Sequence, residues 1–311
     1  MFFTLKISRF VIFGFLLFFI SCKTIEIQEK NAFRDSKYNY DFYEKQLEHS
    51  KLSQENKNQL HSILYDLVKT DKTEIVTNDS IAIRRDFFKP NDSIKLEYFE
   101  FTPKNYKKSG LFFLGNGSTI LRVFNELKEM AIASQTQIYV LNYRGYGKSE
   151  GEPSFKTVFK DNQAFLNLIQ KSNKIDFVIG YSLGTVSATY LATDNKINEL
   201  ILLSPISNAR ESISVIKKRQ TRGVKSVVRP FIKLTMPEYL ADLSNNEKIK
   251  AYKGKVIVMH SKDDETLPYS MGLGVYRSIT SPNKEFISLE HGGHKAPFEQ
   301  SNWNMIIDRL K

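Results

Sequence analysis

Short apolar segments alternate with longer segments of helical period from residue 81 to the end of the chain. The alternating segments 81–88 and 94–101 predict antiparallel strands. Beyond them, the apolar pattern predicts strands at 110–114, 137–141, 175–179, 199–203, 255–259 and 286–289. Helical patterns lie between and after these strands, at 120–134, 155–171, 182–192, 272–279 and 302–310. This order predicts an α/β fold with a mostly parallel sheet covered by helices on both faces.

The N-terminal pattern is different and predicts a signal peptide over residues 1–21. Lys6 and Arg9 precede an apolar core at 10–20 that is too short to span a bilayer. Cys22, the only cysteine of the chain, stands at the cleavage position, which resembles a bacterial lipoprotein signal. Phe19 and Ile20 depart from the usual residues of that motif. We therefore predict lipidation at Cys22, with a simply secreted or membrane-anchored form as the alternative.

Residues 22–75 are predicted to form a separate extension. The polar segment 23–36 favours a tether, and 38–69 favours one or two helices packed on the domain. The main domain is expected at 76–311, with a small helical cap inserted at about 206–250. Within the cap, residues 210–233 are basic with apolar residues interleaved. This segment could contact anionic lipid or attract an acidic substrate, or it could be a solvated cap whose apolar residues face the sheet.

The segment Gly180-Tyr181-Ser182-Leu183-Gly184 lies between a predicted strand and a predicted helix. A G-x-S-x-G turn in this position exposes its serine on a strained backbone, and the two glycines permit close approach of neighbouring chain. Such a serine reacts only when a base removes its proton and a carboxylate orients the base. Ser182 is therefore a candidate nucleophile if both partners follow downstream.

Both partners follow in loops at the ends of predicted strands. Asp264 is four residues after His260 and four before Pro268, a spacing similar to HGxxDxxVP, and it is the expected carboxylate. Asp263 is the alternative. His294, after Gly292 and Gly293, resembles the base of a GGH turn, with His291 as the alternative. The order Ser, Asp, His is that of the α/β hydrolases.

Donors for an oxyanion are also predicted. The strand at 110–114 leads into Gly115-Asn116-Gly117-Ser118, which resembles the HGN loop of small serine hydrolases, with Leu114 in place of histidine. By this resemblance the backbone N–H groups of Asn116 and Leu183 form the oxyanion hole. The alternative is an ordinary glycine turn.

The segment 142–154 (NYRGYGKSEGEPS) closely resembles the D/N-Y-R-G-Y-G-x-S-x-G-x-P-S segment of α/β-hydrolase domain proteins. The resemblance to that family extends over about 81–310. It implies an α/β-hydrolase fold and serine-hydrolase chemistry, but no particular substrate. We expect a structural role for this segment, with Arg144 paired inside the fold, and a packing role for Trp303.

Charge and composition narrow the possible functions. The formal net charge of +11 falls to +9 once Lys6 and Arg9 leave with the signal peptide, which suits a protein at a membrane surface. Nucleic acid is not an expected partner outside the cytoplasm. Disulfides are excluded because no unmodified thiol would remain. His49 and His61 lack metal-ligand spacing, so we expect no metal, and no motif implies a cofactor.

The sequence thus predicts a membrane-tethered serine hydrolase that cleaves an ester, thioester or amide through an acyl-enzyme on Ser182. Lys23, rather than aspartate, follows the cysteine, which favours the outer membrane of a bacterial cell envelope. Two alternatives remain open. One is a catalytically idle fold that serves as a binding or envelope-assembly module, and the other is an acyltransferase.

Overall fold

The computed structural model describes residues 23–27, 29–34, 36–50, 53–90, 93–221, 223 and 229–311. The predicted signal peptide and the predicted lipidation site at Cys22 lie outside these residues, as do residues 222 and 224–228 of the basic cap segment. No helix of the described residues is long and apolar enough to cross a membrane.

A nine-stranded sheet forms the centre of the molecule. Its strands are, in chain order, β3 (Glu74–Thr77), β4 (Ile81–Phe88), β5 (Leu96–Pro103), β6 (Lys108–Phe113), β7 (Thr136–Leu141), β9 (Phe177–Tyr181), β10 (Glu199–Leu203), β12 (Lys255–Ser261) and β13 (Lys284–Leu289). In space they lie in the order β13-β12-β10-β9-β6-β7-β5-β4-β3. The pairs from β7 to β13 are all parallel, whereas β3, β4 and β5 pair antiparallel. The expected mostly parallel sheet with antiparallel strands at its start is confirmed.

Helices cover both faces of this sheet. They are α1 (Tyr40–Glu48), α2 (Gln54–Lys69), α3 (Phe124–Ser134), α4 (Phe155–Ile169), α5 (Gly184–Asn195), α6 (Ala209–Gln220), α7 (Glu238–Ala241), α8 (Asn245–Lys248), α9 (Tyr269–Ser278) and α10 (Gln300–Leu310). Short 3-10 turns occur at Glu29–Ala32, Ile120–Arg122, Ile249–Ala251 and Gly293–Phe298.

Successive residues of each central strand enter two different cores, because side chains of a strand alternate between its faces. Phe112 of β6 packs in a core with Phe124 of α3 and Trp303 of α10. Its neighbour Phe113 packs in the opposite core with residues of α4, α5 and α9. Trp303 is buried, as a packing residue should be, and its indole N–H donates to the carbonyl of Glu126 at 2.8 Å. The near-continuous apolar composition of the central strands follows from burial on both sides.

Element boundaries differ from the sequence predictions where the backbone leaves regular geometry. Strands β4 and β10 have the predicted bounds. The helix expected at 120–134 is instead a 3-10 turn followed by α3, because Val123 has the non-helical angles φ −133° and ψ 15°. The helix expected from residue 182 begins at Gly184, because Ser182 adopts a positive φ.

The N-terminal extension is tied closely to the rest of the molecule. One or two helices were expected at 38–69; the structure has two, α1 and α2, and α2 buries Ile63, Leu64 and Leu67. The buried guanidinium of Arg85 on β4 donates to the carbonyl oxygens of Leu67, Thr70 and Lys72 at 2.7 to 2.9 Å. These bonds satisfy backbone carbonyl groups at and just after the C-terminal end of α2, and they attach this end of the helix to the sheet.

Residues 23–26 and 36–37 form short paired strands where a polar tether was expected at 23–36. Strand β1 (Lys23–Glu26) pairs in parallel with β11 (Ile232–Thr235), and β2 (Ser36–Lys37) pairs in parallel with β8 (Tyr146–Gly147). Composition suggested a solvated segment, but its partners are strands distant in sequence that a local pattern does not reveal. Strand β11 belongs to the insertion between β10 and β12, as do α6, α7 and α8. Because β1 pairs with β11, the extension contacts that insertion directly.

Arg144 pairs within the fold, as predicted. Its Nε and Nη2 donate to Oδ2 and Oδ1 of Asp161 on α4 at 2.7 and 2.8 Å. Both side chains are almost fully buried. This bidentate salt bridge fixes the loop 142–154 against α4. If either partner were removed, the other would remain as a buried charge without compensation.

We therefore expect Asp161→Ala to lower the free energy of unfolding by about 3–5 kcal/mol, the range for breaking a buried pair on one side. Urea denaturation followed by circular dichroism would measure it. Glu247→Gln is the matched control, because it removes one side of the exposed pair with Lys250 and should change stability by less than about 1 kcal/mol. Equal decreases in the free energy of unfolding would show that the buried Arg144–Asp161 pair contributes no more to stability than an exposed pair does.

Candidate active site

Ser182 lies on a sharp turn between strand β9 and helix α5. Its φ is +52°, in the left-handed region that L residues rarely adopt. Its backbone N–H donates to the carbonyl of Leu203 on the neighbouring strand β10 at 2.9 Å, and its carbonyl accepts from the N–H of Thr185 at 3.0 Å. The turn is thus held on both sides, and the Ser182 side chain stands at the carboxyl edge of the sheet.

The two glycines of the segment are required by close backbone contacts. A Cβ on Gly184 would lie 2.2 Å from the carbonyl oxygen of Phe113 on β6. A Cβ on Gly180 would lie 2.6 Å from the carbonyl oxygen of Gly184 and 2.7 Å from Cβ of Ala188. Since real Cβ atoms do not approach this closely, α5 can begin directly above the sheet only with glycine at both positions.

A chain of hydrogen bonds joins Ser182, His294 and Asp264. His294 Nε2 is 2.9 Å from Ser182 Oγ, and His294 Nδ1 is 2.7 Å from Asp264 Oδ2. An ionised carboxylate can only accept, so Nδ1–H donates to Asp264 and the unprotonated Nε2 accepts from the serine hydroxyl. The His294 side chain is 17% exposed and that of Asp264 is 0% exposed. Such a chain can transfer the hydroxyl proton to the imidazole.

Asp264 is held ionised by its neighbours. Its Oδ1 accepts the backbone N–H groups of Thr266 and Leu267 at 2.8 and 2.9 Å. Its Oδ2 is 3.2 Å from Nε2 of the buried His260. Burial raises the pKa of Asp264, but the hydrogen bonds from His260, His294 and the Leu267 N–H outweigh it and place this pKa far below its ordinary value. His260 thus supports the carboxylate, a role that sequence spacing did not reveal.

The two alternative residues lie outside this chain of bonds. His291 has a side chain 90% exposed, and its Nδ1 is 3.7 Å from Oδ2 of Asp263. Asp263 Oδ1 accepts the Ser261 hydroxyl at 2.6 Å and the Gly293 N–H at 2.8 Å. The Ser261 hydroxyl is the main cause that lowers the pKa of Asp263. Asp263 therefore braces the turn that carries His294 and does not contact its imidazole.

Two further side chains position His294 through its backbone. The hydroxyl groups of Tyr181 and Ser204 both donate to the carbonyl oxygen of His294 at 3.2 Å. The Tyr181 ring also packs on the His294 ring, with centroids 5.2 Å apart. Tyr181 is the first variable residue of the G-x-S-x-G segment and ends strand β9, and Ser204 directly follows strand β10, so only their location at strand ends could have suggested a role.

Asn116 and Leu183 both lie beside Ser182 on the lining of one cavity. Among the hydrogen bonds between described residues, neither backbone N–H has a partner. That of Leu183 stands at the start of α5, where the helix dipole favours negative charge. Leu114, in the position of the family histidine, is buried, and its carbonyl accepts the Tyr143 hydroxyl at 3.0 Å.

The side chain of Asn116 is fixed by contacts that the sequence did not predict. Its Oδ1 accepts the backbone N–H of Arg34 at 2.8 Å and the hydroxyl of Tyr146 at 3.0 Å. Tyr146 in turn accepts the N–H of Gly117 at 3.2 Å, and burial raises its pKa. The N-terminal extension and the 142–154 loop therefore both hold the loop that carries Asn116.

The cavity above Ser182 has a volume of about 560 Å³ and is mainly apolar. Helix α6 of the insertion contributes one face of its surface, since Ala209, Ser212, Ile213, Ile216 and Arg219 recur at helical spacing. The apolar side of the basic segment thus faces the cavity. Further apolar lining comes from Ile27, Ala32, Val123, Phe155, Val186, Ile206, Met236, Leu240, Leu243, Leu267 and Phe298.

Comparisons with known proteins find similarity to hydrolases. A family model described as "Serine aminopeptidase, S33" matches residues 111–254, somewhat less than half of the chain. The chain is 28% identical over 214 residues to the human "Alpha/beta hydrolase domain-containing protein 17B", covering 67% of this chain and 66% of that protein. It is 27% identical over 232 residues to an uncharacterized protein of Acanthamoeba polyphaga mimivirus, covering 68% and 75%.

Solved structures share the fold at low sequence identity. An esterase of Pyrococcus furiosus matches with a TM-score of 0.60 and 16% identity, over 74% of this chain and 88% of that one. Acetyl xylan esterase 1 of Thermoanaerobacterium matches with a TM-score of 0.56 and 12% identity, over 92% and 98%. At such identities the likeness concerns the fold alone.

The close contact between Gly184 and β6 gives a direct test of the turn. We expect Gly184→Ala to lower the free energy of unfolding by about 3 kcal/mol or more, because its Cβ would force the turn away from the Phe113 carbonyl. Gly274→Ala in helix α9 is the control, since its Cβ would meet only the Asn246 side chain, at 3.4 Å. The control should be neutral or stabilising by up to about 1 kcal/mol, because alanine is the better helix former. Thermal unfolding that ranks the two variants in the opposite order would contradict this account of the turn.

Proposed function

We propose that this chain, which has the α/β-hydrolase fold, is a membrane-tethered serine hydrolase that cleaves an ester, thioester or amide through an acyl-enzyme on Ser182. The observation that carries the proposal is the hydrogen-bonded chain from Asp264 through His294 to Ser182, which opens into a mainly apolar cavity. The superfamily likeness and the esterase-like fold support hydrolysis in general.

In the proposed first step, Ser182 Oγ attacks the substrate carbonyl carbon while its proton moves to His294 Nε2. Asp264 keeps the imidazole in the required tautomer and stabilises the imidazolium that forms. The carbonyl oxygen becomes an oxyanion, which the backbone N–H groups of Asn116 and Leu183 stabilise by hydrogen bonds. Their lack of other partners among the described residues leaves both groups free for this role.

The intermediate then collapses, and the bond to the leaving group breaks. His294 returns its proton to the leaving oxygen, sulfur or nitrogen, and the acyl group stays on Ser182 Oγ. Water, activated by His294, attacks the acyl-enzyme in the second half and releases the acid and the free serine. If another hydroxyl, thiol or amine takes the place of water, the same residues perform acyl transfer.

The apolar lining favours substrates with a hydrophobic acyl group. Burial of such a group contributes about 0.8 kcal/mol for each methylene removed from water, and much of the cavity wall near Leu183 consists of aliphatic side chains. A set of p-nitrophenyl esters of graded chain length would measure this preference. An idle binding module would hydrolyse none of them, whereas an acyltransferase would require an added acceptor.

We further propose that lipidation at Cys22 anchors the protein in a bacterial cell envelope, at the outer membrane. Support comes from the signal-like sequence before Cys22 and from the place of the residues that follow it. Strand β1 begins at Lys23 and pairs with β11 of the insertion, so an anchor on Cys22 would lie beside the basic cap. The cationic side chains of this cap would then be attracted to anionic lipid headgroups.

The triad is tested by substitutions in matched pairs. We expect Ser182→Ala to abolish labelling by a fluorophosphonate probe and to lower turnover by about 10⁴-fold or more. His294→Ala should do the same, whereas His291→Ala should preserve activity. Asp264→Asn should cost about 10⁴-fold, because the amide favours the wrong imidazole tautomer.

Asp263→Asn is the control for the carboxylate, since an amide oxygen can still accept from Ser261 and Gly293. We expect it to retain most activity in a p-nitrophenyl ester assay. Full labelling of the Ser182→Ala variant by the probe would show that another residue is the nucleophile. A larger loss from His291→Ala or Asp263→Asn than from its partner would contradict the roles assigned here.

The anchor is tested by metabolic labelling with an alkyne fatty acid in a bacterium that processes lipoproteins. We expect the wild-type protein to be labelled and Cys22→Ser to be unlabelled and retained with its signal, because three acyl chains on Cys22 would make attachment effectively permanent. Protein made from about residue 23 should keep its hydrolase activity, since the site contains no cysteine. An unlabelled wild-type protein would remove the lipoprotein proposal and leave only secretion.

A further inference from the structure

Four cationic side chains line the cavity above Ser182, against one carboxylate. Arg34, Arg122, Arg219 and Lys295 are all exposed, and the acid is Glu126. Within the described part of the chain, no Asp or Glu oxygen lies within salt-bridge distance of these four cations. Many other surface cations of the protein are paired, for example Lys262 with Glu290 at 2.6 Å.

Glu126 does not neutralise this set. Burial raises the pKa of Glu126 and the Glu129 carboxylate raises it further, whereas a hydrogen bond from its own backbone N–H and the charge of Lys295 lower it by less. Its backbone carbonyl accepts from Trp303, which keeps the residue on the inner side of α3. The cavity entrance therefore carries a net positive field, which low-dielectric walls concentrate.

Two of the cations lie on the His294 side of the reaction centre. Lys295 follows His294 directly in the chain. Arg122 is close enough to Tyr181 for its charge to lower the pKa of that phenol, against the larger effect of burial. The Tyr181 ring packs on His294. Arg122 and Lys295 thus stand near the base that gives its proton to the leaving group.

Much of the remaining lining of the cavity is apolar. Leu183 and Val186 at the start of α5 contribute to this apolar lining together with Ile213 and Ile216 of α6, the helix that also carries Arg219. An acyl chain fits this lining by the hydrophobic effect. The cavity therefore offers both apolar surface and unneutralised positive charge near Ser182.

We infer that the site selects amphiphilic acyl substrates whose leaving group carries a carboxylate or a phosphate, with the acyl chain against the apolar lining and the anion beside Arg122 and Lys295. The inference rests on the proposed serine hydrolysis and adds a substrate class to it. Anionic amphiphiles would also collect near a basic entrance before they bind, which raises their rate of encounter.

The experiment compares esters that share one acyl chain and differ only in leaving-group charge. The carboxylate pair is 4-(octanoyloxy)benzoate and its neutral isostere 4-(octanoyloxy)benzamide. The phosphate pair is 1-octanoylglycerol 3-phosphate and 1-octanoylglycerol. We expect kcat/KM to be about tenfold higher for the anionic member of each pair. Two exposed ion-pair contacts together contribute a free energy that corresponds to a factor of this size.

The double variant Arg122→Gln with Lys295→Gln should bring this ratio close to one. Lys160→Gln removes an exposed lysine of α4 that does not line the cavity, and it should leave both the ratio and the individual rates as in the wild type. Sodium chloride at about 1 M, where the screening length is about 3 Å, should lower the wild-type ratio and hardly affect the double variant.

The outcomes separate this inference from the proposed function. Preference in only one pair assigns the anion as carboxylate or as phosphate. Ser182-dependent turnover with equal rates for both members of both pairs would overturn the inference and leave the hydrolase intact. A preference that survives the double substitution would overturn the assignment to Arg122 and Lys295. No Ser182-dependent turnover and no fluorophosphonate labelling would refute the hydrolase itself and the inference with it.

Discussion

The left-handed backbone of Ser182 is the constraint to which the other parts of the site conform. A residue at φ +52° between a strand and a helix is strained, and it persists only where its surroundings hold it. Here the Leu203 carbonyl fixes the Ser182 N–H, and glycine at 184 lets α5 start against β6. The same turn leaves the Leu183 N–H at the free end of the helix. Strain, nucleophile position and the proposed oxyanion donor thus have one structural origin.

The histidine and the carboxylate are placed by loops that support each other. Asp263 braces the turn before His294, while Tyr181 and Ser204 hold the His294 carbonyl. Asp264 is ionised because hydrogen bonds from His260, His294 and backbone N–H groups outweigh its burial. Two neighbouring aspartates therefore have different tasks, one structural and one directed at the imidazole, and burial distinguishes them.

The cavity is built by segments that are far apart in sequence. The insertion after β10 supplies the apolar face of α6, the N-terminal extension supplies Ile27 and Arg34, and the 142–154 loop holds Asn116 through Tyr146. Since β1 pairs with β11, the chain directly after Cys22 is joined to the insertion. The extension and the insertion therefore form one connected part of the structure around the cavity.

The sequence alone determined the order of strands and helices, because apolar periodicity is local and strong in a sheet buried on both faces. It also identified Ser182, Asp264 and His294 as candidates, because each follows a recognisable strand end. Only the tertiary structure shows that Asp264 and His294, rather than Asp263 and His291, form the hydrogen-bonded chain with Ser182, since the members of each pair differ in burial and direction. It also decided the pairing of β1 with β11, the support of Asn116 by Arg34, and the grouping of unpaired cations around the cavity. Those features depend on contacts between residues up to about two hundred positions apart, for example Ile25 beside Leu234, and loop closure over such distances leaves no local pattern in the chain.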